Sequence, residues 1–132
     1  MTSTPLEAVR HYIDSFNAGD VDAMAAAFDV SGSILDGMPP HLWHGPDAAR
    51  EWYRDVLAEA NEHGATDYFV TLFEPLQNTV TGDAAYVAVP AAMTFNLRGE
   101  RITQSGATMT LALRHGSDRW RIAAWAWTKG RQ

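Results

Sequence analysis

The sequence predicts an α+β domain, with three helices in its first half and a curved antiparallel sheet in its second. Apolar residues recur at helical spacing as far as His63, and from Asp67 onward the pattern becomes long extended segments. Those segments are separated by Gly82-Asp83, Gly99-Glu100 and Gly116-Ser117-Asp118, all turn-forming, and short turns between long strands make an antiparallel meander. A chain of 132 residues with 46% apolar content suits one domain over residues 1–132, large enough for a real core.

The elements follow in order. Thr4-Pro5-Leu6-Glu7 is a helix start, with Thr4 as cap, Pro5 at the first helical position and Glu7 completing a capping box. Leu6, Val9, Ile13 and Phe16 form the inner face of that helix, with Tyr12 at its edge, and Asn17-Ala18-Gly19 ends it. Asp20 caps a second, short helix with Val21, Met24, Ala25 and Phe28 inward, broken by Ser31-Gly32-Ser33. Ile34-Leu35-Asp36 reads as a short strand, and Met38-Pro39-Pro40-His41 as a stiff loop without ladder donors at the prolines. Leu42-Trp43-His44 is a further short extended piece. Pro46 and Asp47 start a third helix whose apolar face is Ala49, Trp52, Tyr53, Val56, Leu57 and Ala60. The extended segments then run over residues 68–81, 84–97, 101–115 and 119–128, with Pro75 and Pro90 marking bulges or bends.

Alternation assigns the faces of the sheet. Val87, Val89, Ala91, Met93, Phe95 and Leu97 share one face, with Ala107, Met109, Leu111 and Leu113, and then Trp120, Ile122, Ala124 and Ala126. These sets are expected to meet the helices. The opposite face carries Tyr86, Thr94, Thr108, Thr110, Trp125 and Trp127 among small residues, too apolar for bulk water. Three helices cover one face only, so a homodimer through the other is expected.

Composition excludes several classes. There is no cysteine, so disulfides, thiolate catalysis and cysteine metal sites are out. Net charge is −6, divided unevenly. Residues 1–97 hold three arginines against fourteen acids, whereas residues 98–132 hold seven bases against two acids. The bases sit at turns and strand ends rather than in a stripe, which argues against nucleic acid. No signal peptide or membrane-length apolar run is legible, so a cytoplasmic protein without membrane association is expected. No phosphate loop, nucleophile elbow or dinucleotide fingerprint occurs, and no cofactor is expected.

Taken together, VRHYIDSFNAGDVDAMAAAF, ILDGMPPHLWHGPDAAREWY and RHGSDRWRIAAWAWTK resemble the opening helices, first strand with its turn into helix three, and closing hairpin of the NTF2-like superfamily. These are the SnoaL-like and ketosteroid-isomerase-like proteins, and the resemblance covers nearly the whole chain. It implies a cone in which three N-terminal helices pack on a curved antiparallel sheet. It also implies a cavity for a small apolar ligand. The superfamily includes isomerases, dehydratases, cyclases, hydrolases, transport factors and ligand binders, so the fold alone does not name a reaction. Many relatives carry a polar residue on the last strand where this chain has Ala124 and Ala126, a change that leaves space in the wall.

In the related isomerases and cyclases a cavity carboxylate removes a proton next to a carbonyl while a donor holds the enolate. Asp36, between Ile34-Leu35 and Met38, is the candidate base; the competing reading has it bonding backbone N–H groups around Gly37 as a turn residue. His41 or Tyr53 would donate to the oxyanion. His41 and His44 with Asp36 could frame a metal, but residues three apart on extended chain point to opposite faces, so no metal is expected. Tyr12, Phe16, Trp43 and Trp52 are candidate ligand walls from the helical half, with Met93, Met109, Trp120 and Ala124 from the sheet. The expected function is isomerisation, cyclisation or dehydration beside a carbonyl. The alternative is non-catalytic ligand binding or a dimeric interaction module.

Overall fold

The computed structural model describes residues 4–130. Helix α1 (Pro5–Ala18) opens with the expected capping box: Glu7 N donates to Thr4 Oγ1 at 3.1 Å and Thr4 N to Glu7 Oε1 at 2.9 Å. Gly19, at φ 72°, closes it in the left-handed conformation. Asp20 caps α2 (Val21–Ala26) by accepting from Ala23 N at 3.1 Å. Tyr12 is not at the edge of α1 but fully in the core, 1% exposed.

The next element departs from expectation. Phe28 does not end α2; it begins β1 (Phe28–Leu35), and Ser31-Gly32-Ser33 lies inside that strand. The pairing shifts register between Phe28 and Ser33. Gly32 is needed there, because a Cβ would stand 2.5 Å from the Phe28 ring. A short β2 (Leu42–His44) pairs back on β1, and α3 (Ala48–His63) follows.

The meander forms β3 (Ala65–Leu72), β4 (Gln77–Thr81), β5 (Ala84–Leu97), β6 (Glu100–His115) and β7 (Trp120–Thr128). Pro75 splits the expected 68–81 strand in two, and both halves pair with β5. The sheet order is β2-β1-β7-β6-β5-β3 with β4 also on β5, and β1 runs parallel to β7. That parallel pair joins the two ends of the sequence and needs no hairpin.

Two bulges decide which side chains face the helices. On β6, Ala107 pairs with Ala91 and Gln104 with Met93, so β6 takes three steps where β5 takes two; Gly106 sits there at φ 80°. On β7, Ile122 pairs with Leu113 but Ala124 with Ala112, which inserts one extra residue. Beyond it the parity of β7 reverses. Trp125 and Trp127 turn inward opposite Leu111 and Met109, and Ala124 and Ala126 turn outward. The expected assignment of these four residues is thereby overturned.

The core lies between α1, α3 and the inner sheet face, with Val9, Met24, Ile34, Val87, Val89 and Ile122 at 0% exposure. No helix among the described residues is long and apolar enough to cross a membrane.

Candidate functional site

Strands β1 and β7 run side by side, with Leu35 beside Ala126, so their C-terminal ends open at the same end of the cone. Asp36 leaves β1 at that end. Its main chain is fixed by the following loop: Asp36 N donates to the His41 carbonyl at 3.2 Å, and His41 Nδ1 lies 3.1 Å from the Asp36 carbonyl. His41 takes a φ of 75° to close the loop. The backbone and the His41 ring thus make the turn, which leaves the carboxylate for another partner. That partner is Trp52 on α3, whose Nε1 donates to Asp36 Oδ2 at 2.9 Å. The other oxygen, Oδ1, has no hydrogen-bond partner among the described residues.

Beneath Asp36 lies a cavity of about 400 Å³. Tyr12, Ile13 and Phe16 of α1, Trp52 and Val56 of α3, and Met93, Met109, Trp125 and Trp127 of the sheet line it. Gly37, Met38 and Pro39 form one lip; Glu59, Gln104 and Lys129 are charged or amide side chains that accompany Asp36 in the lining. The wall is aromatic and internally braced. Trp52 and Trp125 meet edge to face with centroids 4.9 Å apart, and Phe16 lies 5.7 Å from Trp52.

The second polar feature of the wall is Tyr12. Trp125 Nε1 donates to its hydroxyl oxygen at 3.0 Å. An accepted bond leaves the phenol's own proton available. Burial pushes the Tyr12 phenol far above its ordinary value of 10.0; the Trp125 hydrogen bond acts the other way and the Asp36 charge adds to the rise. Tyr12 is therefore a neutral donor throughout the physiological range. Tyr68, also in the lining, is raised by burial and by the Glu59 charge.

The sequence-derived candidates divide accordingly. Asp36, Tyr12, Phe16, Trp52, Met93 and Met109 come together around one cavity. The others do not. His41 is exposed and committed to its own loop. Tyr53 points to a separate cavity of about 400 Å³ between α1, α3 and β3, with its ring edge-on to Phe16 at 5.9 Å. Trp43 is buried outside the cavity lining and donates to Asp55 Oδ2 at 2.9 Å. Trp120 packs edge-on to His115 at 5.1 Å, away from the cavity. Ala124 is on the outer face because of the β7 bulge.

Sequence reasoning missed Trp125, Trp127, Gln104 and Lys129 as cavity residues. The Trp125-x-Trp127-x-Lys129 alternation was the available signal, but without the bulge it pointed to the wrong face. Among the described residues no group of three or more His, Cys, Asp or Glu side chains is placed to hold a metal ion.

Helices held in a curved sheet, with one end of the cone open onto an apolar cavity, define an NTF2-like α+β protein. The chain matches the SnoaL-like domain over residues 6–126, and it belongs to that family. No curated protein gives a significant sequence match. Among solved structures it is similar to a protein of unknown function from Mycobacterium tuberculosis, with TM-score 0.78, 21% identity, and coverage of 96% of this chain and 70% of that one. A ketosteroid isomerase-like protein from Erwinia carotovora atroseptica gives TM-score 0.72 at 21% identity, covering 95% and 92%. The hexachlorocyclohexane dehydrochlorinase LinA-type3 from Novosphingobium barchaimii gives TM-score 0.80 at 11% identity, covering 96% and 84%. At these identities the likeness is one of fold.

Proposed function

We propose that this protein is a cofactor-independent acid/base enzyme acting on a small, largely apolar molecule next to a carbonyl. The observation that carries the reading is Asp36: its carboxylate lines an apolar cavity, is oriented by one indole N–H and keeps one oxygen without a hydrogen-bond partner among the described residues. A base needs that combination of fixed direction and free lone pairs. Tyr12 supplies the complementary group, a neutral hydroxyl on the same wall able to donate to a developing enolate oxygen. Tyr12 replaces His41 and Tyr53 in this role, since neither of those lines the cavity.

The chemistry then runs in two parts. Asp36 takes a proton from the carbon beside the carbonyl while the Tyr12 hydroxyl holds the oxygen on which charge accumulates. Return of the proton to another carbon gives isomerisation; loss of a leaving group gives dehydration; attack on a second carbonyl gives cyclisation. The apolar wall of Trp52, Trp125 and Met109 lowers the local dielectric, which strengthens both interactions.

A screen of carbonyl compounds against wild type and Asp36→Asn tests this reading. Retained ligand affinity with turnover reduced about 10²- to 10⁴-fold supports it. Unchanged turnover removes Asp36 from the mechanism and favours a ligand-binding role for the same cavity.

In this reading a second copy of the chain covers the outer sheet face. Tyr86, 44% exposed, stands there beside an Ala and Thr surface that includes Thr108, Thr110 and Ala112, with Thr94 further along β5. Trp125 and Trp127 take no part, being turned inward.

A further inference from the structure

Lys129 is the one lysine in the sequence, and it continues the inward-facing row of β7 after Trp125 and Trp127. The chain at this point is held closely. Thr128 pairs with Thr108, and Gly130 lies against the β6 bulge, where a Cβ would stand 2.6 Å from the carbonyl carbon of Gly106 and from Ser105 O. Such contact is possible only for glycine, and it fixes the backbone that carries Lys129. Across the same bulge Gln104 also turns into the cavity. Neither side chain has a hydrogen-bond or ion-pair partner among the described residues.

An exposed ammonium at the rim and a half-buried carboxamide, both in the lining of one aromatic-walled cavity, are two donors open to a ligand. Resting on the cavity being a small-molecule site, we infer that Lys129 and Gln104 recognise an anionic group, and that the ligand is an apolar carbonyl compound bearing a carboxylate. The remaining charges set its direction. Asp36 and Glu59 line the same cavity and repel an anion, so the carboxylate goes to the β6–β7 wall and the apolar body descends towards Tyr12 and Met109. The pair thereby orients the substrate as well as selecting it.

Calorimetric titration with cinnamate and with its neutral counterpart cinnamamide tests this without requiring turnover. Wild type is expected to bind cinnamate about tenfold more tightly than cinnamamide, with the preference shrinking as salt is raised. Lys129→Met is expected to bring cinnamate down to the affinity of cinnamamide while leaving cinnamamide unchanged, which also shows that the variant is folded. Gln104→Leu should lose part of the preference, and Lys129→Arg should keep most of it. Equal affinities in wild type, or a preference that survives Lys129→Met, overturns the inference. Failure of both compounds to bind overturns it together with the cavity as a ligand site. Failure of the catalytic reading alone is seen separately, as turnover that does not respond to Asp36→Asn.

Discussion

The indole N–H of Trp52 on α3 donates to Asp36 Oδ2 at 2.9 Å, joining the third helix to the end of the first strand. The same indole meets Trp125 edge to face at 4.9 Å, and Trp125 donates to the Tyr12 hydroxyl at 3.0 Å. Two neighbouring tryptophans therefore direct two of the polar groups of the cavity wall, one acid and one phenol. Both act through a donor that cannot itself ionise.

Trp52→Phe keeps most of the ring volume and removes the donor to Asp36. A hydrogen bond to a charged group is worth about 1.5–3 kcal/mol, so the variant should lose roughly 2 kcal/mol of unfolding free energy in urea. Turnover should fall as well, since the carboxylate is no longer held in direction. A variant as stable as wild type would show that the contact contributes nothing to the fold.

Tyr12 gives a pH-dependent signature. Its folded-state pKa is raised above the ordinary 10.0, by burial first. Above about pH 10 the unfolded chain releases the phenolic proton while the folded chain keeps it. The Tyr12 contribution to stability is thus full below that pH and declines as the pH rises beyond it. Tyr68 is raised as well and acts in the same direction. Tyr12→Phe should flatten the alkaline fall of stability without abolishing it. At neutral pH it should cost about 1–3 kcal/mol, because the buried Trp125 N–H loses its acceptor. Denaturant unfolding across the alkaline range checks both points; an unaltered slope contradicts the assignment.

Much of the fold is legible in the sequence because it is written in local chemistry. The Thr4–Glu7 capping box, the Gly19 and Gly64 helix ends and the two-residue turns at Gly82 and Gly99 all follow from residues that allow few alternatives. The site is less legible because it depends on parity. In Ile122-Ala123-Ala124-Trp125-Ala126-Trp127 every residue is apolar, so no polar face marks which side is outward, and no glycine or proline marks the bulge. One extra residue exchanged Ala124 for Trp125 in the cavity wall. The same loss of alternation hid Lys129. Asp36, by contrast, stood out as an acid in an apolar run, which is a local signal. Tyr53 lies outside the cavity for another reason: it and Trp52 are adjacent on α3, and helical rotation sends them to different cavities.

The outer face has its own test. Thr110 on β6 pairs with Ala88 on one side and Ala126 on the other, in the middle of that surface. Thr110→Arg places a charge there without touching the cavity. Wild type should run as a dimer in light scattering after size exclusion, and the variant as a folded monomer. A monomeric wild type would leave the face solvated and remove the pairing.

The most direct test of the central claim is proton exchange. Wild type and Asp36→Asn would each be incubated in deuterated buffer with a panel of small aryl ketones with and without a carboxylate, 3-benzoylpropionate and phenylacetone among them. Deuterium entering at the carbon beside the carbonyl would be followed by NMR. If Asp36 is the base of this cavity, wild type accelerates the exchange and Asp36→Asn returns it to the buffer rate while remaining folded. Exchange that proceeds equally in both proteins, or that wild type accelerates for no member of the panel, contradicts the account.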